Sequence, residues 1–335
     1  MKRGQWIRDI LCYLAVLCVI ALGLITIIGS GNNVATDNIV LPKDLLVFYG
    51  WPSGINNANE AAAPIAAAAQ EFGKYDYVIL GSGLEKTSHV AHTATVQIIA
   101  HEDANDTVFL GYIDLGVSTD NHTMAEVKTR VDEWISTGAQ GIFLDDFGYD
   151  FLVARERQNE AVSYVHSKGL PVVINAWNPD HAFGSQYDSL YNPNSVATAV
   201  NSTDFYLYES YQIKSGAYET KENWQSKVTK LKDYQTAYNF KILSVTTNDS
   251  DNIYDEDKFF YAWYSALLYR FDAVGWGEYD FSTNGAAPFR TRPDVDFGIY
   301  FMGDVKEDLY LVYRRTDRGL IVIDTNAHEY EFSPT

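Results

Sequence analysis

The chain has 335 residues, 47% of them hydrophobic, which is enough for a sizeable core and excludes a disordered chain. Its formal net charge is −19 and no basic cluster occurs beyond the first residues, so a nucleic-acid partner is excluded by repulsion. The same charge disfavours acidic polymers as partners and fits neutral or cationic ones better.

Lys2, Arg3 and Arg8 precede an apolar run from Ile10 to Ile28, which Gly29-Ser30-Gly31 ends. A run of that length matches the roughly 20 helical residues that a bilayer core requires. Cations on its N-terminal side predict a cytoplasmic N-terminus, so residues 1–30 are expected to form a single-pass membrane anchor with the rest outside the cytoplasm. A cleaved signal peptide, giving a secreted chain, is the rival reading. Both cysteines, Cys12 and Cys18, fall in this segment, so the remainder has no disulfide.

After a linker over 31–44, apolar runs of strand length recur at Leu45–Gly50, Tyr75–Gly81, Thr107–Gly116, Gly141–Phe147, Pro171–Asn178, Asp204–Tyr211, Lys241–Thr247 and Ala273–Tyr279. Continuous rather than alternating runs mark strands buried on both faces of a parallel sheet. Helical patterns lie between most of them, at Ala61–Phe72, from the capping box Thr123-Met-Ala-Glu126 to Gly138, and at Ala154–Lys168, Lys221–Tyr238 and Asp257–Phe271. Eight such units predict an α/β fold, a closed (β/α)8 TIM barrel over 45–292. A doubly wound open sheet is the alternative, but no Gly-rich phosphate turn follows the first strand. Gly81-Ser82-Gly83-Leu84-Glu85-Lys86-Thr87 lacks the glycine before lysine of a P-loop and reads as a strand-ending loop. Residues 293–335 alternate like antiparallel strands and predict a small C-terminal β appendage.

Active sites of such barrels lie at the C-terminal ends of the strands. Here those ends carry Tyr49 and Trp51, Tyr112 and Asp114, Asp145 and Asp146, Asn175 and Trp177, Glu209 and Tyr211, and Trp276 and Glu278. Carboxylates thus end four different strands, with aromatics between them. Glycoside hydrolysis needs one carboxyl to protonate the leaving oxygen and another to attack or to activate water, while aromatic faces hold the sugar rings. Asp145, delivered by the apolar run Gly141-Ile-Phe-Leu, and Glu209, which interrupts an aromatic run, are the first candidates for catalysis. Asp146 is a third candidate or a loop cap. The rim residues Tyr49, Trp51, Tyr112, Asp114, Asn175, Trp177, Tyr211, Trp276 and Glu278 are candidate substrate contacts.

Other constellations carry less. His89 and His92 have a ligand-like spacing without a third ligand, and the acidic stretch from Asp249 to Asp257 lacks the glycine of a calcium loop, so no metal is expected. No Gly-x-Ser-x-Gly elbow occurs.

Tyr112-Ile-Asp-Leu-Gly116, then Gly138-Ala-Gln-Gly141-Ile-Phe-Leu-Asp145, then Glu209 resemble the endo-α-1,4-polygalactosaminidase group, glycoside hydrolase family 114 and its relatives. The resemblance covers about Leu45 to Tyr279 and departs from the family pattern at Asp114 and at the doubled acid Asp146. It implies a barrel hydrolase acting on an amino-sugar-containing polysaccharide at or outside the cell surface, with Asp145 and Glu209 as its carboxylates and no cofactor. The competing expectation is a non-catalytic carbohydrate-binding or envelope protein on the same scaffold.

Overall fold

The computed structural model describes residues 36–335. The strands, in chain order, are β1 (Thr36–Asn38), β2 (Lys43–Phe48), β3 (Tyr77–Leu80), β4 (Val108–Asp114), β5 (Gly141–Asp145), β6 (Val172–Ile174), β7 (Phe205–Glu209), β8 (Ile213–Lys214) and β9 (Ala217–Tyr218). They continue as β10 (Lys241–Val245), β11 (Ala273–Gly275), β12 (Tyr300–Met302), β13 (Lys306–Asp308), β14 (Leu311–Arg315), β15 (Gly319–Asp324) and β16 (Glu329–Pro334). Eight of them close a parallel barrel in the order β10, β11, β2, β3, β4, β5, β6, β7. Each of the eight apolar runs read from the sequence contributes one of these strands.

Side chains alternate across each strand and build two cores. Leu45, Val47, Ile79, Leu110, Phe143, Val173, Leu207 and Leu243 fill the barrel interior. The opposite set, including Phe48, Val78, Ile142, Ile174 and Tyr206, meets the helices outside. The helix Met124–Thr137 begins with the expected box: Thr123 and Glu126 exchange side-chain and backbone hydrogen bonds, and Gly138 ends it at φ 97° in the left-handed region. Further helices span Pro64–Phe72, His92–Ile99, Arg155–Ser167, Pro179–Phe183, Lys221–Tyr238 and Glu256–Leu268.

The helix Glu256–Leu268 is apolar nearly all round, with Phe259, Trp263 and Leu267 all buried. It is covered on two sides, by the barrel at β11 and by the antiparallel sheet β13-β14-β15-β16. β12 does not join that sheet. It pairs with β1, so the residues just before the barrel are tied to those just after it.

The expected membrane location does not stand, because among the described residues no helix is long and apolar enough to cross a bilayer. The apolar run from Ile10 to Ile28 on which it was based lies outside the described residues.

Candidate active site

Strand parity decides which side chains reach the barrel mouth. Continuing the inward sets upward from Val47, Leu110, Phe143, Val173 and Leu207 by two residues gives Tyr49, Tyr112, Asp145, Asn175 and Glu209. All five are partly exposed, unlike the buried layer beneath them. They form the top layer of the interior, at the C-terminal ends of β2, β4, β5, β6 and β7. In an ordinary layer these positions would be aliphatic; here the layer is two tyrosines, an amide and two carboxyls.

The groups in this layer touch or sense one another. The Tyr49 and Tyr112 rings meet edge-on at 5.5 Å, and Tyr112 stands on Phe143 at 5.6 Å. Burial, and then the charge of Asp145, raise the Tyr112 hydroxyl. Asn175 Nδ2 donates to Glu209 Oε2 at 2.7 Å. Burial, then the neighbouring charges of Asp146 and Glu209, push the Asp145 carboxyl up to about 8. The Tyr49 hydroxyl is raised by burial and then by the charges of Asp145, Tyr112, Glu209 and Asp146. Asp145 and Glu209, 64 positions apart in the chain, therefore share one mouth.

The chain turns sharply after each carboxyl. Asp146 has φ 51° and Ser210 φ 57°, both in the left-handed region that side chains other than glycine seldom enter. At Asp146 the turn carries the second acid into the loop beside β4. Burial first, then the charge of Asp114, push its carboxyl up to about 6. At Ser210 the turn sends the chain into the β8–β9 ribbon.

Several rim residues do other work. Asp114 is 5% exposed and accepts hydrogen bonds from Gly116 N at 2.6 Å, Thr119 Oγ1 at 2.8 Å and Asp120 N at 3.3 Å, so it holds its own loop. A Cβ at Gly116 would lie 2.2 Å from Thr119 Oγ1 and 3.1 Å from Asp114 Oδ1, which is why glycine is required there. Glu278, also 5% exposed, is gripped by Arg290 Nη2 at 2.5 Å and receives the Trp276 indole N–H at 3.3 Å.

Trp276 and Tyr211 do not reach the mouth. Trp276 has the outward parity on β11 and packs on Tyr254 and Phe259 outside the barrel. Tyr211 is fully buried after the left-handed Ser210, with its hydroxyl and that of Ser265 2.6 Å apart. Trp51 and Trp177 remain exposed at the rim, at 61% and 48%.

Sequence reasoning passed over Lys227. It projects from the helix Lys221–Tyr238 to lie 4.3 Å above the Tyr208 ring and 5.8 Å from the Trp177 ring. Burial lowers its ammonium to about 8, and the charges of Glu209 and Asp150 pull the other way. Asp150 is in turn bonded to His181, whose ring stacks on Tyr149 at 4.7 Å. The signal in the sequence was slight: one lysine among several on an apparently solvated helix face.

No protein-family model and no curated protein matches the chain. Among solved structures, a GH18 chitinase from Pseudoalteromonas aurantia is similar at 13% identity and TM-score 0.46, over 72% of this chain and 96% of that one. The enoyl reductase domain of MlnA from Bacillus amyloliquefaciens is similar at 11% identity and TM-score 0.43, over 70% of this chain and 52% of that one. The carboxyl transferase domain of Rhizobium etli pyruvate carboxylase gives 12% identity and TM-score 0.43, over 70% of this chain and 40% of that one. The chain thus spans about half or less of the last two. These proteins differ in chemistry, and at such distances none of them bears on the reaction.

Proposed function

We propose that this barrel is a glycoside hydrolase whose paired carboxyls, Asp145 and Glu209, cleave a glycosidic bond in an amino-sugar-containing polysaccharide. The observation that carries the reading is the top layer of the barrel interior, where two carboxyls from different strands converge and Asp145 is pushed up to about 8. A pair that keeps one proton near neutral pH supplies both requirements of the reaction. The protonated partner gives its proton to the leaving oxygen, and the ionised partner attacks the anomeric carbon or takes a proton from the water that does. The net change adds water across the C–O bond, with hydrogen to the leaving sugar and hydroxyl to the anomeric carbon.

The neighbouring groups fit the same reading. Asn175 holds the Glu209 carboxyl by a hydrogen bond, which fixes it before substrate arrives. Trp51 and Trp177 offer exposed faces on which sugar rings can stack. Asp146 adds negative charge beside the pair and favours a substrate carrying an ammonium group. The resemblance to polygalactosaminidases around Asp145 and Glu209 points to the same substrate class.

Release of reducing ends from polygalactosamine and chitosan tests this. The wild-type protein is expected to release them, and Asp145→Asn and Glu209→Gln each to lose at least about a hundredfold in rate. A wild-type protein that binds these polymers without cleaving them would support a carbohydrate-binding protein instead.

A further inference from the structure

Two lysines converge on the exposed Trp177. Lys227 Nζ lies 5.8 Å from the indole centroid, and Lys214 Nζ, carried on the β8–β9 ribbon, lies 5.5 Å from it. The Lys214 ammonium is close enough to disfavour the charge of Lys227. Yet among the described residues neither is within ion-pair distance of a carboxylate. On the same helix as Lys227, Lys221 pairs with Glu307 at 3.7 Å and Lys230 with Asp180 at 2.5 Å. In a chain of 44 acidic and 25 basic residues, partners for cations are plentiful. Lys227 senses the charges of Glu209 and Asp150, but among the described residues no carboxylate pairs with either ammonium beside the exposed ring, which leaves a place for an anion.

The surroundings say what carries that anion. Trp177 is 48% exposed and follows Asn175, which holds Glu209, so the ring lies beside the proposed site of cleavage. Lys227 is held over Tyr208 and Tyr206 and near the Ala176 carbonyl, at 3.4 Å, a packing that fixes its place beside Trp177. An indole face stacks a sugar ring, and flanking ammonium groups take a negative substituent on that ring.

We propose that Trp177, Lys214 and Lys227 form a subsite for a sugar bearing an anionic substituent, a carboxylate or a sulfate ester, next to the sugar cleaved at Asp145 and Glu209. The inference rests on reading the mouth as a sugar site, and it refines that reading: the strand-end acids and the cations beside Trp177 together select a polymer of mixed charge. The overall charge of −19, which disfavours acidic polymers, is overridden locally.

The test is binding, independent of cleavage. Isothermal titration of the protein compares trigalacturonate, its methyl ester and a 6-O-sulfated trigalactoside. An anionic probe is expected to bind at least about tenfold tighter than the ester, and Lys214→Gln and Lys227→Met each to remove about tenfold of that affinity. Trp177→Ala is expected to weaken all three probes. Preference for trigalacturonate assigns a carboxylate, and preference for the sulfated probe a sulfate ester. Equal binding of charged and esterified probes, no binding of any probe, or unchanged affinity in Lys214→Gln overturns the proposal. Lys214 is exposed, so that variant does not depend on Lys227→Met folding well. Anion-selective binding without polymer cleavage would leave this subsite standing while the hydrolase fails. Cleavage with no anion preference would do the reverse.

Discussion

Replacing Asp145 by Asn is expected to stabilise the fold at neutral pH while abolishing activity. A carboxyl raised from 3.8 to about 8 in the folded state binds its proton more tightly there than in the unfolded chain. Its contribution to stability is therefore full below about pH 4 and is lost as pH rises toward about 8. At pH 7 the loss is at most about 4 kcal/mol, from about 3.2 pH units at about 1.36 kcal/mol each. Partial exposure at the mouth screens part of this, and the amide forgoes some of the hydrogen bonding, so we expect a net gain of about 2 kcal/mol. For a chain of this size that raises the melting temperature by about 3 °C. Urea denaturation of wild type and Asp145→Asn at intervals from about pH 4 to about pH 9 gives the difference directly. The gap should widen with pH up to about 8 and then level off. A gap that stays constant across this range, or an Asn variant less stable at neutral pH, would refute the argument that burial and neighbouring charge act on Asp145.

Three further outcomes are expected. The rate of polymer cleavage should fall as pH rises through about 8, because the Asp145–Glu209 pair then loses the proton it must donate; a pH–kcat/KM profile reads this as the alkaline limb. Asn175→Ala removes the 2.7 Å hydrogen bond that orients Glu209, and steady-state kinetics should show kcat about tenfold or more lower with KM little changed. Arg290→Met strands the buried Glu278 without its partner, and denaturant titration should show a loss of about 3 kcal/mol with the carboxyl pair intact.

The barrel was legible because each strand is a short run of apolar residues bounded by polar ones, a pattern that survives without knowing the neighbours. The helix after β4 was legible because Thr123 and Glu126 mark its start chemically. The helix His92–Ile99 carried no such mark: its cap is Ala91, with no side-chain hydrogen bond, and its Thr and Ile residues read as strand or loop. β1 and β12 pair across more than 260 residues, and no local pattern announces that.

In the site, the acids at the ends of β5 and β7 stood out because an ionisable group closing an apolar run is costly without a role. Parity was harder. Trp276 looks like a rim aromatic until Ala273 is seen facing inward, which turns Trp276 outward onto Phe259. The left-handed Ser210 reverses the count after Glu209 and buries Tyr211. Asp114 and Glu278 were sound as strand-end acids, but their donors Thr119 and Arg290 come from loops whose paths follow from tertiary packing alone.

The central claim is that Asp145 and Glu209 share one environment. Carboxyl carbon NMR of protein labelled at Asp and Glu side chains, assigned by difference from Asp145→Asn and Glu209→Gln, follows each group through its titration. The account predicts that the Asp145 signal titrates near 8, and that replacing Glu209 shifts that midpoint downward by removing a neighbouring negative charge. Two carboxyls that each titrate in one step near about 4, indifferent to the other's replacement, would contradict it.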